Sequence, residues 1–110
     1  MAFGVMGGFM QPQGHLQVAS NRIVYVMDSQ EALDAPRFKI EVEGNQDVLV
    51  EEDLSPDVIK HLEKRGHTIQ VVSGYDRAGF GGGQVISRDA ETGVLTAGSE
   101  PRKDGAAAGY

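Results

Sequence analysis

The sequence predicts a mixed α/β fold with the element order β-α-β-β-α-β-β-β, and three observations carry it. Leu16, Ala19, Ile23, Val26 and Met27 recur at helical spacing. Phe38-Lys-Ile-Glu-Val-Glu43 alternates strictly between apolar and charged residues, as a strand with one covered face requires. Ser55-Pro56-Asp57 opens a later helix that Gly66 closes, with the serine as its cap, proline where no backbone donor is needed and aspartate at the positive helix end.

Each element has a local reason. Met1 to Met10 mixes apolar side chains with glycines and reads as a buried strand running into a tight turn at Gly7-Gly8. A helix follows from Gln13 to Met27. A short helical piece starts at Asp28 or Ser29, whose side chains accept from unpaired backbone amides, and stops before Pro36, which disfavours helical geometry at Ala35. Phe38 to Glu43 and Asp47 to Glu51 form an antiparallel hairpin across Gly44-Asn45. After the helix from Ser55, short strands run near Thr68 to Ser73, Gln84 to Arg88 and Val94 to Gly98, the last two joined by Asp89 to Gly93. Ala78 to Gly83 and Lys103 to Tyr110 read as loop and tail.

A length of 110 residues suits one domain, with 40% hydrophobic and 24% charged residues, too apolar for intrinsic disorder. The net charge of −6 and scattered Lys and Arg offer no basic stripe, so nucleic acid is not expected as a partner. Without cysteine there is no disulfide, thiolate nucleophile or Cys-based zinc site. No apolar run approaches the roughly 20 residues that span a bilayer, so no membrane segment is expected, and cytoplasm and periplasm stay open.

Several motifs have two readings. Gly7-Gly8 is where two successive amides can face an oxyanion, although such a pair reads first as a simple turn. Gly79 to Gln84 lacks the Lys-Ser/Thr of a P-loop and is expected to be a flexible or closely packed turn. His15, His61 and His67 are dispersed and read as surface or capping residues, not as metal ligands. Glu51-Glu52-Asp53 lacks calcium-loop spacing and is expected to be a solvated charge cluster. Gln11, Gln13 and Gln17 either bind a polar substrate or satisfy loose backbone groups.

Taken together, Met6-Gly-Gly-Phe-Met-Gln-Pro-Gln-Gly-His15, Glu31-Ala-Leu-Asp-Ala-Pro-Arg-Phe38, Gly82-Gly-Gln84 and Gly98-Ser-Glu-Pro-Arg-Lys-Asp-Gly105 resemble the gamma-glutamyltransferase family over essentially the whole chain. The match is to the C-terminal part of the small subunit, and the form of Gln11 to His15 is similar to the acylase-like branch, which makes acyl-amide hydrolysis the expected class. The resemblance implies the C-terminal half of an N-terminal nucleophile hydrolase, an α/β/β/α layered sandwich. It also implies a self-cleaving proenzyme whose exposed N-terminal threonine attacks a gamma-glutamyl or related acyl amide, with no metal or organic cofactor. By the same resemblance, Gly7 and Gly8 are the oxyanion-hole residues, and the threonine lies upstream of Met1. The chain alone is therefore expected to be inactive and to need the upstream part of the same polypeptide as its partner. The alternative is a non-catalytic module that self-associates, most simply as a dimer, through an uncovered sheet face or edge.

Overall fold

The computed structural model describes residues 1–110 and shows a mixed α/β chain with two three-stranded sheets. β1 (Ala2–Met6) runs through a 3-10 turn (Gly8–Met10) into α1 (Gln11–Ile23), and α2 (Ser29–Asp34) follows. β2 (Phe38–Ile40) and β3 (Val48–Glu51) pair antiparallel, and α3 (Pro56–Lys64) crosses over to β4 (Ile69–Val72), which lies parallel to β3. β5 (Gly82–Arg88) returns to pair antiparallel with β1, and β6 (Leu95–Ser99) closes a hairpin with β5. The first sheet is therefore ordered β1-β5-β6 and the second β2-β3-β4. No helix is long and apolar enough to cross a membrane.

Local chemistry sets the element ends. Asp28 caps α2 through a full capping box: its carboxylate accepts from the amides of Gln30 and Glu31, and Glu31 accepts from the Asp28 amide. Gly66, at φ 95°, ends α3 in the left-handed conformation, with its amide donating to Glu63. Ser55 stands at the start of α3, but its hydroxyl makes no capping bond; Pro56 and Asp57 alone mark that end. In the β5–β6 turn, the amide and hydroxyl of Thr92 and the amide of Glu91 hold the Asp89 carboxyl below its usual range.

The helix layer packs on the first sheet through Val5, Val18, Leu33 and Val85, with Phe3 at the margin. The stripe Leu16-Ala19-Ile23 does not face this core: Leu16 and Ile23 are 65% and 72% exposed, and α1 buries Gly14 and Val18. Gly14 decides the orientation, because a β-carbon there would stand 2.7 Å from Val5 Cγ1. Only a glycine lets α1 lie this close to β1, so its face turns to the core and the larger apolar residues turn away. α2 is seated similarly on β6, where a β-carbon at Gly98 would meet the Ser29 carbonyl oxygen at 2.6 Å.

α1 ends four residues before the predicted Met27. Val26 follows it at φ 56° and 81% exposure, a left-handed conformation that costs a β-branched residue about 1–2 kcal/mol. Val26→Gly removes this penalty and buries nothing less; a net gain of about 1 kcal/mol, equivalent to roughly 4 °C or more in melting temperature, is expected in a thermal scan.

The glycine-rich run is closely packed, with Gly81, Gly82 and Gly83 all buried. The open question about the glutamines resolves in part toward backbone satisfaction. Gln13 bonds both the amide and the carbonyl of Ile40, and Gln17 does the same at Phe38, so two side chains one helical turn apart cover the free edge of β2.

The molecule is elongated, 48 × 24 × 21 Å, with a radius of gyration of 15.0 Å against about 13 Å for a compact chain of this length. The outward face of the first sheet is largely exposed, with only the tail residues Ala107 to Tyr110 beside Ile86 and Leu95: Met6, Ile86 and Leu95 are 69%, 51% and 67% exposed.

Candidate functional site

The Gly7-Gly8 turn stands where β1 passes into α1. Gly8 adopts φ 55°, and a β-carbon on Gly7 would press on the Gly81 Cα at 3.1 Å and the Met10 Cβ at 3.2 Å. Buried Met10 anchors the far side, and its amide donates to the Gly7 carbonyl at 2.9 Å. Gly7 and Gly8 are themselves exposed, and no turn or side-chain hydrogen bond consumes either amide. The turn opens on a cavity of 380 Å³ whose other wall is Lys39, Glu41 and Val42. Lys39 and Glu41 form an ion pair at 3.1 Å there, and no hydroxyl or thiol lines the space. The arrangement leaves two adjacent exposed amides beside a space without a hydroxyl or thiol nucleophile.

His15 does not lie on the surface as a free imidazole. Its Nε2 is 3.3 Å from the Val5 amide nitrogen and its Nδ1 is 2.7 Å from the Gln11 carbonyl oxygen. His61 and His67 remain exposed, and no three His, Asp or Glu side chains converge to hold a metal ion.

Behind the turn lies a buried ionic centre. Glu51 is fully buried, so the expectation of a solvated Glu51-Glu52-Asp53 cluster is wrong for its first member; Glu52 and Asp53 do stay exposed. Arg102 grips Glu51 with both Nε and Nη2 at 2.5 Å, and its Nη1 holds Glu100 at 2.6 Å. Arg37 Nη1 reaches Glu100 at 2.9 Å, and the Arg37 amide donates to Glu51 at 2.7 Å. Arg77 closes the ring at 3.1 Å from Glu51. Further bonds from Arg102 to the Leu33 and Ala35 carbonyls, and from the Gly83 amide to Glu100, tie the end of α2, β3 and β5 to one point.

Burial alone would push the Glu51 carboxyl up; the hydrogen bonds from Arg102 and the Arg37 amide outweigh it and leave the group below its ordinary value. For Arg37, burial and the neighbouring Arg102 act downward and Glu100 opposes them. Arg37 Nε is buried without a partner; the other charged atoms pair with each other and with backbone, so the centre braces the two sheets. Sequence reading missed it because Glu51 and Arg102 are far apart in the chain. The one available signal was that Arg37, Glu100 and Arg102 fall inside two of the conspicuous motifs, Glu31 to Phe38 and Gly98 to Gly105.

The sequence profile of gamma-glutamyltranspeptidase matches residues 1–110. The chain belongs to the gamma-glutamyltranspeptidase family. It is 34% identical over 110 residues to the glutathione hydrolase-like YwrD proenzyme of Bacillus subtilis, covering 97% of this chain and 21% of that protein. It is 28% identical over 113 aligned residues to the oxamate amidohydrolase proenzyme of Klebsiella pneumoniae, covering 100% of this chain and again 21% of the relative. Among solved structures, cephalosporin acylase from Bacillus halodurans superposes with a TM-score of 0.81 at 51% identity, covering 91% of this chain and 18% of that one. These neighbours place the chain in the acylase-like branch and in the N-terminal nucleophile hydrolase fold class. The chain thus spans about a fifth of the length of these curated relatives.

Proposed function

We propose that this chain is the C-terminal portion of an acyl-amide hydrolase or acyl transferase, and that the amides of Gly7 and Gly8 are its oxyanion hole. The observation that carries the reading is the exposed turn: two adjacent amides, left unused by the local hydrogen-bonding pattern, open on a cavity. The nucleophile belongs to an upstream segment, an N-terminal threonine released by processing, whose α-amine takes the hydroxyl proton as the threonine attacks the acyl carbonyl. Water or an amine then resolves the acyl-enzyme. The largely exposed outer face of the first sheet, with Met6, Ile86 and Leu95, supports the same division, because an apolar face of this kind suits a second layer of the sandwich. In this reading the acyl group is a gamma-glutamyl or related acyl chain, bound beside the cavity wall that carries Lys39 and Glu41.

The purified 110-residue chain is expected to release no chromophore from a gamma-glutamyl anilide, whereas the processed full-length enzyme carrying the segment turns it over. Robust turnover by the isolated chain would overturn the assignment.

A further inference from the structure

We infer that His15 is a positioning residue that sets the Gly7-Gly8 turn through a neutral imidazole of one fixed tautomer; the inference rests on the reading of that turn as the oxyanion hole. The Val5 amide can only donate, so Nε2, 3.3 Å away, is the acceptor. The ring proton therefore sits on Nδ1 and is donated to the Gln11 carbonyl at 2.7 Å. The ring also rests against Phe3, with centroids 5.6 Å apart and planes inclined at 48°.

The two partners flank the turn: Val5 precedes Gly7 on β1, and Gln11 opens α1 just beyond Met10. β1 is the edge strand of its sheet, and its other side is taken by β5, so the Val5 amide faces away from the ladder and has His15 as its partner. One imidazole thereby fixes the distance between the end of β1 and the start of α1. Glycine has more backbone freedom than any other residue, so an exposed Gly-Gly segment keeps its amides aimed only if both flanks are held. Buried Met10 holds one flank, and His15 spans the two. An oxyanion donor displaced by a fraction of an ångström loses much of its effect on the transition state while substrate binding is spared.

The test compares three variants in the processed full-length enzyme. His15→Ala and His15→Asn remove the acceptor for Val5, the second because its side chain is too short, while the Oε1 of His15→Gln reaches the place of Nε2. The expected result is a kcat lower by roughly 10- to 100-fold for Ala and Asn, with KM within about twofold of the parent, and recovery of most of the loss by Gln. A purely structural role would lower the melting temperature without this split. The inference is overturned if His15→Ala keeps the parental kcat, or if Gln fares no better than Ala. Nitrogen-15 NMR of the 110-residue chain supplies a measurement independent of turnover: Nδ1 is expected to carry the proton, and a proton on Nε2 overturns the proposal. Failure of the oxyanion reading is seen separately, as a Gly8→Pro enzyme of undiminished kcat; with Gly8→Pro impaired and His15→Ala silent, only the role of His15 falls.

Discussion

Arg102→Met is expected to destabilise the chain by about 3–5 kcal/mol, a large part of the total stability of an ordinary domain. The substitution keeps much of the side-chain volume and removes the charge. It leaves the Glu51 and Glu100 carboxylates, 0% and 1% exposed, one cation short, and it removes the side-chain donor of the Ala35 carbonyl and one of the two that reach the Leu33 carbonyl. Desolvated carboxylates that lose one of their cations are less well compensated for burial, even with Arg77 still on Glu51 and Arg37 still on Glu100, which is why one deletion here outweighs any single apolar truncation at the margin of the small core. Arg77→Met is the internal control, because Arg77 keeps 24% of its side chain exposed and shares its charge with solvated Glu52 and Asp53. Its loss should cost about 1 kcal/mol. Urea unfolding followed by circular dichroism checks both; equal midpoints for the two variants would contradict the assignment of Arg102 as the central brace.

The same centre sets the acid behaviour. Glu51 is held below its ordinary value of 4.5 when folded, so the unfolded chain binds its proton at higher pH than the folded one does. Its stabilising contribution is therefore complete above that ordinary value and is lost as pH falls through the depressed folded pKa. Glu51→Gln removes this pH dependence along with the charge, so the variant should be less stable at neutral pH and its stability should fall less steeply in acid.

Gly8→Pro in the processed full-length enzyme is expected to lower kcat by about 10²–10³-fold. Proline has no amide hydrogen, and its ring fixes φ near −65°, far from the 55° that Gly8 adopts. One donor is lost and the other is re-aimed, so the tetrahedral intermediate loses stabilisation that the ground-state carbonyl hardly uses. KM should change much less than kcat. The turn is at the surface and a β-carbon at Gly8 would meet no atom within 4 Å, so the strain of the changed φ falls on the turn and not on the core, and a thermal melt checks that the fold is retained. Steady-state kinetics with an anilide substrate decide the matter: a variant with parental kcat would remove Gly8 from the reaction.

What the sequence determined by itself is what neighbours in the chain decide. The Asp28–Glu31 capping box, the glycine stop at Gly66 and the Asp89 turn are interactions within a few residues, and their residue types announce them. Mixed α/β class and family were legible for the same reason, since both rest on short patterns in fixed order. The Gly7-Gly8 turn was legible as a turn, and its exposure and cavity were not. The tertiary structure alone decided which faces are covered. Periodicity set Leu16, Ile23 and Val26 in one stripe, yet the close approach permitted by Gly14 gave the core to Val18 instead. It also decided that Glu51, outwardly one of three solvated acids, is the buried hub for Arg37, Arg77 and Arg102, and that His15 closes on Val5. Burial and ion pairing depend on which distant segments meet, and no local pattern of apolar and charged residues encodes that meeting.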